Sequence, residues 1–239
     1  MNQLLPYETI VKASEGDPEA VAAVLSHYAG YIRSCAKMDG QINTDMQEHI
    51  VGRLIALDPQ PYNSFGNGSA MRVSPVAWLF DDLSQVLEEA EKTALPTHNH
   101  PEGIKGAKAV AHAIWHFRKS KESHLPDDKA MKVFKDIARS YYEDFDTRDY
   151  PKGKFDETCM DAVPLSFYLL SQASSFEDAI RLAISHGGDS DTIGAIVGSI
   201  AEARFGIPQE IKDRAMEYLP DEMQDVLKQF AGKCEIKPK

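Results

Sequence analysis

Within the six residues Gly187-Gly188-Asp189-Ser190-Asp191-Thr192, two carboxylates and a threonine hydroxyl crowd one point of the chain. If Asp189 and Asp191 were both buried and ionised they would repel, and a cation between them is the natural remedy. Thr192 adds a neutral oxygen, and a set of hard oxygen donors suits Mg²⁺, Mn²⁺ or Ca²⁺ better than zinc. Gly, Asp, Ser and Thr also favour helix starts, so the same residues fit an N-cap. Spacing alone leaves the cap and the metal site both open.

Two further stretches carry chemistry. Gly66-Asn67-Gly68-Ser69 is a polar loop leading into Ala70-Met71-Arg72. Its glycines let backbone N–H groups converge, and a helix starting there adds positive potential, which together suit a pyrophosphate. An ordinary Asn-Gly turn is the alternative. His98 and His100 stand just before Pro101-Glu102-Gly103, at the head of a helix. A His-x-His pair invites zinc, but no Cys or third His sits nearby at ligand spacing. Glu102 fits either an acid–base role or a favourable contact with the helix dipole. Trp78, Trp115 and His116 fall at helical positions and read as packing residues.

The elements that must hold these groups are helices. Beyond Pro59 and Pro61, which interrupt any helix, periodicity predicts helices over 74–80, 83–94, 103–120, 129–142, 162–171, 176–185, 192–205, 208–217 and 220–230, with the motifs on loops between them. In the helix after Thr192, Gly194, Gly198 and Glu202 form one row and Ala195, Ser199 and Ala203 another, so a second helix can approach closely. Before the prolines, Tyr7 to Ser14 reads as a short helix, and Asp17 caps a second one with Pro18 at its first position. Asp39-Gly40 breaks that helix, and Thr44 or Asp45 caps a third through Met46, Ile50 and Leu54. The domains predicted are 1–57, 60–232 and a tail, 233–239.

Composition narrows the function classes. The chain has 239 residues, 43% hydrophobic and 26% charged, as expected of a globular protein with a core. A net charge of −11 opposes general binding to nucleic acid or anionic membrane. No apolar run approaches the roughly 20 residues that span a bilayer, and the first residues do not read as a signal peptide. Cys35, Cys159 and Cys234 are few and far apart, which suits reduced thiols. The expected location is cytoplasmic.

Gly187 to Thr192 followed by a small-residue helix resembles the carboxy-terminal metal motif of the ADP-ribosylglycohydrolases, the family that includes the dinitrogenase-reductase-activating glycohydrolase. Ser64 to Arg72, Thr97-His98-Asn99-His100-Pro101-Glu102-Gly103 and Phe176-Glu177-Asp178-Ala179-Ile180 agree, in the family's order, over roughly residues 60–231. The resemblance implies an all-α, compact orthogonal multi-helix fold and Mg²⁺-dependent hydrolysis of the glycosidic bond joining ADP-ribose to a protein side chain, with Mn²⁺ as a substitute ion. It implies Asp189 and Asp191 as catalytic residues, which with Thr192 are metal ligands, and Gly66, Asn67, Gly68, Ser69, Met71 and His98 as substrate-binding residues. ADP-ribose, free or on protein, is the implied partner. The family also places a Thr-Asp-Asp motif ahead of the glycine-rich loop. Thr44-Asp45-Met46 lacks its second aspartate and takes no ligand role, so the fold is expected to be amino-terminally incomplete and to need a partner or self-association.

Leu5-Pro6-Tyr7-Glu8, Gly16-Asp17, Val24-Leu25, His27-Tyr28, Tyr31-Ile32 and Asn43-Thr44-Asp45-Met46 resemble the helix-turn-helix domain of conjugative-transposon regulatory proteins, over about residues 4–57. Residues 1–57 carry a net charge of −3 (four basic, seven acidic), which opposes reading DNA and favours a protein partner. A catalytically inactive ADP-ribose-binding module and a transposon-associated regulator are therefore kept as alternatives to the hydrolase.

Overall fold

The structure, a computed structural model, describes residues 6–14, 17–35, 37–38, 41–42 and 63–234. The third helix expected through Met46 and Leu54, the Thr44-Asp45-Met46 stretch, the Pro59–Pro61 boundary and residues 235–239 of the tail lie outside them. The chain divides into two compact units, Met1–Gln60 and Pro61–Lys239.

In the first unit, α1 (Tyr7–Ser14) and α2 (Pro18–Cys35) follow the predicted pattern. The Asp17 carboxylate accepts from the Ala20 N–H at 2.8 Å, so the cap expected ahead of Pro18 is made. Where the helix was expected to break, β1 (Lys37–Met38) and β2 (Gln41–Ile42) pair antiparallel, Lys37 opposite Ile42. Asp-Gly between two short runs is a hairpin signal, and the sequence reading took it only as a helix stop.

The second unit is helical. Its elements are α3 (Gly68–Met71), α4 (Ser74–Leu79), α5 (Leu83–Ala94), α6 (Pro101–Glu122), α7 (Asp127–Tyr141), α8 (Cys159–Gln172), α9 (Phe176–His186), α10 (Ser190–Phe205), α11 (Gln209–Met216) and α12 (Asp221–Lys233). The 22-residue α6 is the axis, and α3, α4, α5, α7, α8 and α10 all pack on it. That is possible because its buried positions are mostly small, including Gly103, Gly106, Ala107 and Ala111. A Cβ on Gly106 would overlap the Cys159 side chain, which is how α8 comes so near. Phe117, Phe134 and Phe167 fill the space between α6, α7 and α8, with ring centroids 5.1 and 5.3 Å apart.

Two arginines tie element ends together. Arg118 donates to the carbonyls of Trp78 and Phe80, each at 2.7 Å, holding the end of α4 on α6. Pro164 lies inside α8 and cannot bond the Met160 carbonyl four residues back. Arg148 reaches that carbonyl at 2.9 Å and grips Asp144 with two further bonds at 2.9 Å.

The small-residue rows predicted on α10 receive α9. A Cβ on Gly194 would lie 3.5 Å from the Ile184 side chain, and one on Gly198 would lie 3.1 Å from that of Ile180. This packing sets the direction in which α10 leaves the Gly187-Gly188 turn.

Candidate functional site

Gly187 and Gly188 have φ of +78° and +76°, a region that costs any other residue strain. Gly188 also passes so close to the Lys154 carbonyl that a Cβ there would overlap it. The turn is thus pinned against residues 153–155, and the Gly153 N–H donates to the His186 carbonyl at 2.8 Å. Asp189 emerges from it at the head of α10.

Asp189 occupies the N-cap position but its carboxylate makes no cap hydrogen bond. It accepts instead from the Asn67 side-chain amide at 2.6 Å. Asn67 is 7% exposed and Asp189 8%, so this bond joins the glycine-rich loop to the α10 head away from bulk water. The cap explanation does not account for where this side chain goes.

Thr192 is buried and its hydroxyl points to the Met71 sulfur at 3.9 Å. Asp191 is exposed at the same end of α10, and Met71 is itself exposed.

The glycine-rich loop is itself braced. The Asn67 N–H donates to the Glu157 carbonyl at 2.7 Å, Gly66 bridges Thr158, and the Gly66 N–H donates to the Ser64 hydroxyl at 3.1 Å. Those two N–H groups are spent inside the protein, so the converging-amide cradle expected of the loop is smaller than its sequence suggests. Ser69 departs further from expectation: it is fully buried, and its hydroxyl donates to the Gly103 carbonyl at 2.8 Å. Helix α3 is only four residues, too short to carry the dipole argument made for an anion there.

His98 closes the arrangement. It is 7% exposed, and its Nε2 lies 3.1 and 3.6 Å from where Cβ atoms on Gly68 and Gly66 would stand. Burial, and secondarily the Arg72 guanidinium, hold its pKa below the usual imidazole range. His100, by contrast, caps α6: its Nδ1 accepts from the Glu102 N–H at 3.1 Å. Glu102 pairs with Lys105 at 2.6 Å on the first turn of α6, an ion pair that the sequence reading did not expect. The packing roles expected of Trp115 and His116 are seen in their bonds to the Asp81 and Ala130 carbonyls, each 2.8 Å.

Three loops far apart in sequence therefore meet: Gly66–Met71, His98, and Asp189–Thr192. The sequence reading missed the fourth contributor, residues 153–158, which touches both the glycine turn and the glycine-rich loop. Its signals were the turn residues Pro151 and Gly153 and the Asp156-x-Thr158 helix start, where Asp156 accepts from the Thr158 N–H and hydroxyl at 2.9 and 2.7 Å. Arg72 and Thr97 were also missed as neighbours of His98.

The donors fit a hard cation in kind: two carboxylates and a hydroxyl within four residues. They supply one side of a coordination shell. Among the described residues no group of three or more His, Cys, Asp or Glu could hold a metal ion. No described helix is long and apolar enough to cross a membrane, and Cys159 and Cys234 are free thiols.

A family model described as ADP-ribosylglycohydrolase matches residues 3–238 and so takes in the whole of the 4–57 segment that also resembled a helix-turn-helix domain, for which no separate support is found. An uncharacterized protein of Archaeoglobus fulgidus is 31% identical over 170 residues, covering 62% of this chain and 53% of that protein. The ADP-ribosyl-[dinitrogen reductase] glycohydrolase of Rhodospirillum rubrum is 26% identical over 153 residues, covering 62% and 49%. ADP-ribosylhydrolase ARH3 of Homo sapiens is 26% identical over 187 residues, covering 61% and 52%. The chain spans about half the length of these curated relatives. A solved structure, an ADP-ribosylglycohydrolase-related protein complex, superposes with a TM-score of 0.54 at 21% identity, over 79% of this chain and 65% of that one, which shows a shared all-α fold.

Proposed function

Because the chain belongs to the ADP-ribosylglycohydrolase family, we propose that the glycine-rich loop, His98 and the head of α10 together bind the ADP-ribose of a modified protein and hydrolyse its glycosidic bond. The observation that carries this reading is the buried Asn67–Asp189 bond, which unites two polar motifs at one point. A folding core has no need of such a pairing.

Each residue then has a task. Asn67 occupies one oxygen of Asp189 and fixes the plane of its carboxylate. Gly68 leaves room for ligand against His98, whose neutral ring can donate to a phosphate or ribose oxygen. Asp189, Asp191 and Thr192 would hold Mg²⁺, or Mn²⁺ in its place. A cation bound there would orient the ribose hydroxyls and stabilise charge as the bond breaks through an oxocarbenium-like state.

One observation favours a weaker form of this reading. With donors from one side among the described residues, the ribose is held loosely, and misplacement of about 1 Å costs on the order of a hundredfold in rate. We therefore expect the 239-residue chain to release ADP-ribose from modified protein in a Mg²⁺-dependent way, roughly a hundredfold more slowly than the Rhodospirillum rubrum relative. Binding without release makes the chain an ADP-ribose-binding module, and absence of binding sinks both readings. A partner or self-association that completes the shell would raise the rate. For residues 1–57 we propose contact with a protein, in a cytoplasmic setting; tight binding of duplex DNA at physiological salt would overturn that.

A further inference from the structure

An apolar groove of about 500 Å³ lies between α9 and α11. Phe176, Ile180 and Ile184 stand one turn apart along its α9 side, and Ile211 faces them from α11. Ile184 is 53% exposed there, and Tyr218, 74% exposed, continues the apolar surface just past α11. One end of the groove lies close to the head of α10. The Ile184 carbonyl accepts from the Gly187 N–H at 3.2 Å, and the Ile184 side chain packs on Gly194. Gly194 follows Asp189 by five positions, about 7.5 Å along a helix axis. From Ile184 to Phe176 the groove runs about 12 Å, the length of about four extended residues.

The rim is acidic. Glu177, Glu210, Asp213 and Glu217 border the groove and its continuation. Two cations stand among them, and each is already paired: Arg181 with Glu177 at 2.6 Å, and Arg214 with Glu217 at 2.7 Å. Lys212, the other cation of α11, acts on Glu202 of α10 instead. Glu210 and Asp213 are exposed, and Asp213 accepts from the neutral Gln209 amide at 2.6 Å, so the rim keeps a net negative charge. An apolar floor beneath such carboxylates is complementary to a segment carrying both aliphatic and cationic side chains. We propose that this groove docks the polypeptide of the substrate itself, a Leu- or Ile-bearing segment rich in Lys or Arg that flanks the modified residue. Position and charge favour that occupant over a second copy of the chain. The groove begins within about two helical turns of Asp189, and a protein of net charge −11 is repelled by its own acidic rim. The link to the substrate rests on the ADP-ribose reading above; the preference for a basic, aliphatic segment does not.

The test is fluorescence anisotropy of the 239-residue protein with short labelled peptides, one type flanking the central residue with Leu and Lys, the other with Ser and Glu. Each is used unmodified and ADP-ribosylated, and calorimetry gives the affinity for ADP-ribose alone. Wild type should hold the ADP-ribosylated Leu/Lys peptide about tenfold more tightly than the Ser/Glu one, the scale of burying part of one aliphatic side chain. Ile184→Ser should remove that advantage and leave the affinity for ADP-ribose as it is. Glu210→Lys, at an exposed position where folding is not at stake, should weaken the Leu/Lys peptide and spare the Ser/Glu one. Equal affinity for the two peptide types in wild type, or the full preference kept in both variants, overturns the proposal. So does dimerisation in sedimentation that Ile184→Ser abolishes, which would give the groove to a second copy. If wild type binds no ADP-ribose while the unmodified Leu/Lys peptide still binds over its Ser/Glu counterpart, the functional reading fails and the groove's preference stands.

Discussion

Asn67 and Gly68 are adjacent, and they do opposite things. Asn67 turns its amide inward to Asp189, whereas Gly68 keeps a side chain out of the space in front of His98. Gly68 does not have positive φ, so alanine is tolerated there by the backbone. Its Cβ would sit 3.1 Å from Nε2 and 3.2 Å from Cε1 of His98, inside the room a ligand needs. Gly68→Ala should therefore lower ADP-ribose affinity about tenfold, one lost hydrogen bond, with little change in melting temperature. Equal affinity in calorimetry would remove Gly68 from the site. At this scale the sequence announced which residues matter and misjudged how several are used. Asp189 and Thr192 reach the glycine-rich loop through Asn67 and Met71, and His98 lies against Gly66 and Gly68, but the Ser69 hydroxyl serves the core and the Asn67 side chain serves another protein group. Composition of a loop does not say which polar atoms face inward; that is decided by partners dozens of residues away.

Helix α8 shows how an element can depend on a side chain outside it. Its Pro164 orphans the Met160 carbonyl, and Arg148 satisfies it. Arg148→Met should cost up to about 1 kcal/mol in denaturant unfolding, the scale of one lost hydrogen bond at an exposed carbonyl. Replacing Pro164 by Ala should recover more stability in the Arg148→Met background than in wild type, because only there does the restored helix N–H meet an unpaired acceptor. Additive effects would show that the bond is incidental. The helices were legible because apolar spacing survives in each: α5 matches its predicted bounds and α10 gains only two residues, Ser190 and Asp191, at its start. Residues 142–158 were not, since that stretch has no periodicity and earns its shape from contacts with Gly66, Asn67 and Gly188.

The whole molecule carries buried and half-buried histidines that make it sensitive to acid. His112, packed beside Tyr141, is pushed down to about 4 by burial and then by neighbouring His116, and His98, His116 and His186 are lowered too. Below about pH 6.5 the unfolded chain takes up protons that folded His112 refuses until about pH 4. Stability should fall through that window and be fully present above it. His112→Phe should flatten the profile in pH-dependent urea unfolding, whereas an unchanged slope would assign the effect to the other histidines or to carboxylates.

Function at this scale was legible only through order: four motifs, each weak alone, set on one helical frame. The central claim is that Gly66–Met71, His98 and Asp189–Thr192 form one ADP-ribose site with a cation on the α10 head. Calorimetry of ADP-ribose against wild type and Asp189→Asn, each with Mg²⁺ and with chelator, tests it most directly. The account predicts single-site binding that Mg²⁺ strengthens in wild type and leaves unchanged in Asp189→Asn. No binding to wild type, or the same Mg²⁺ effect in both proteins, would contradict it.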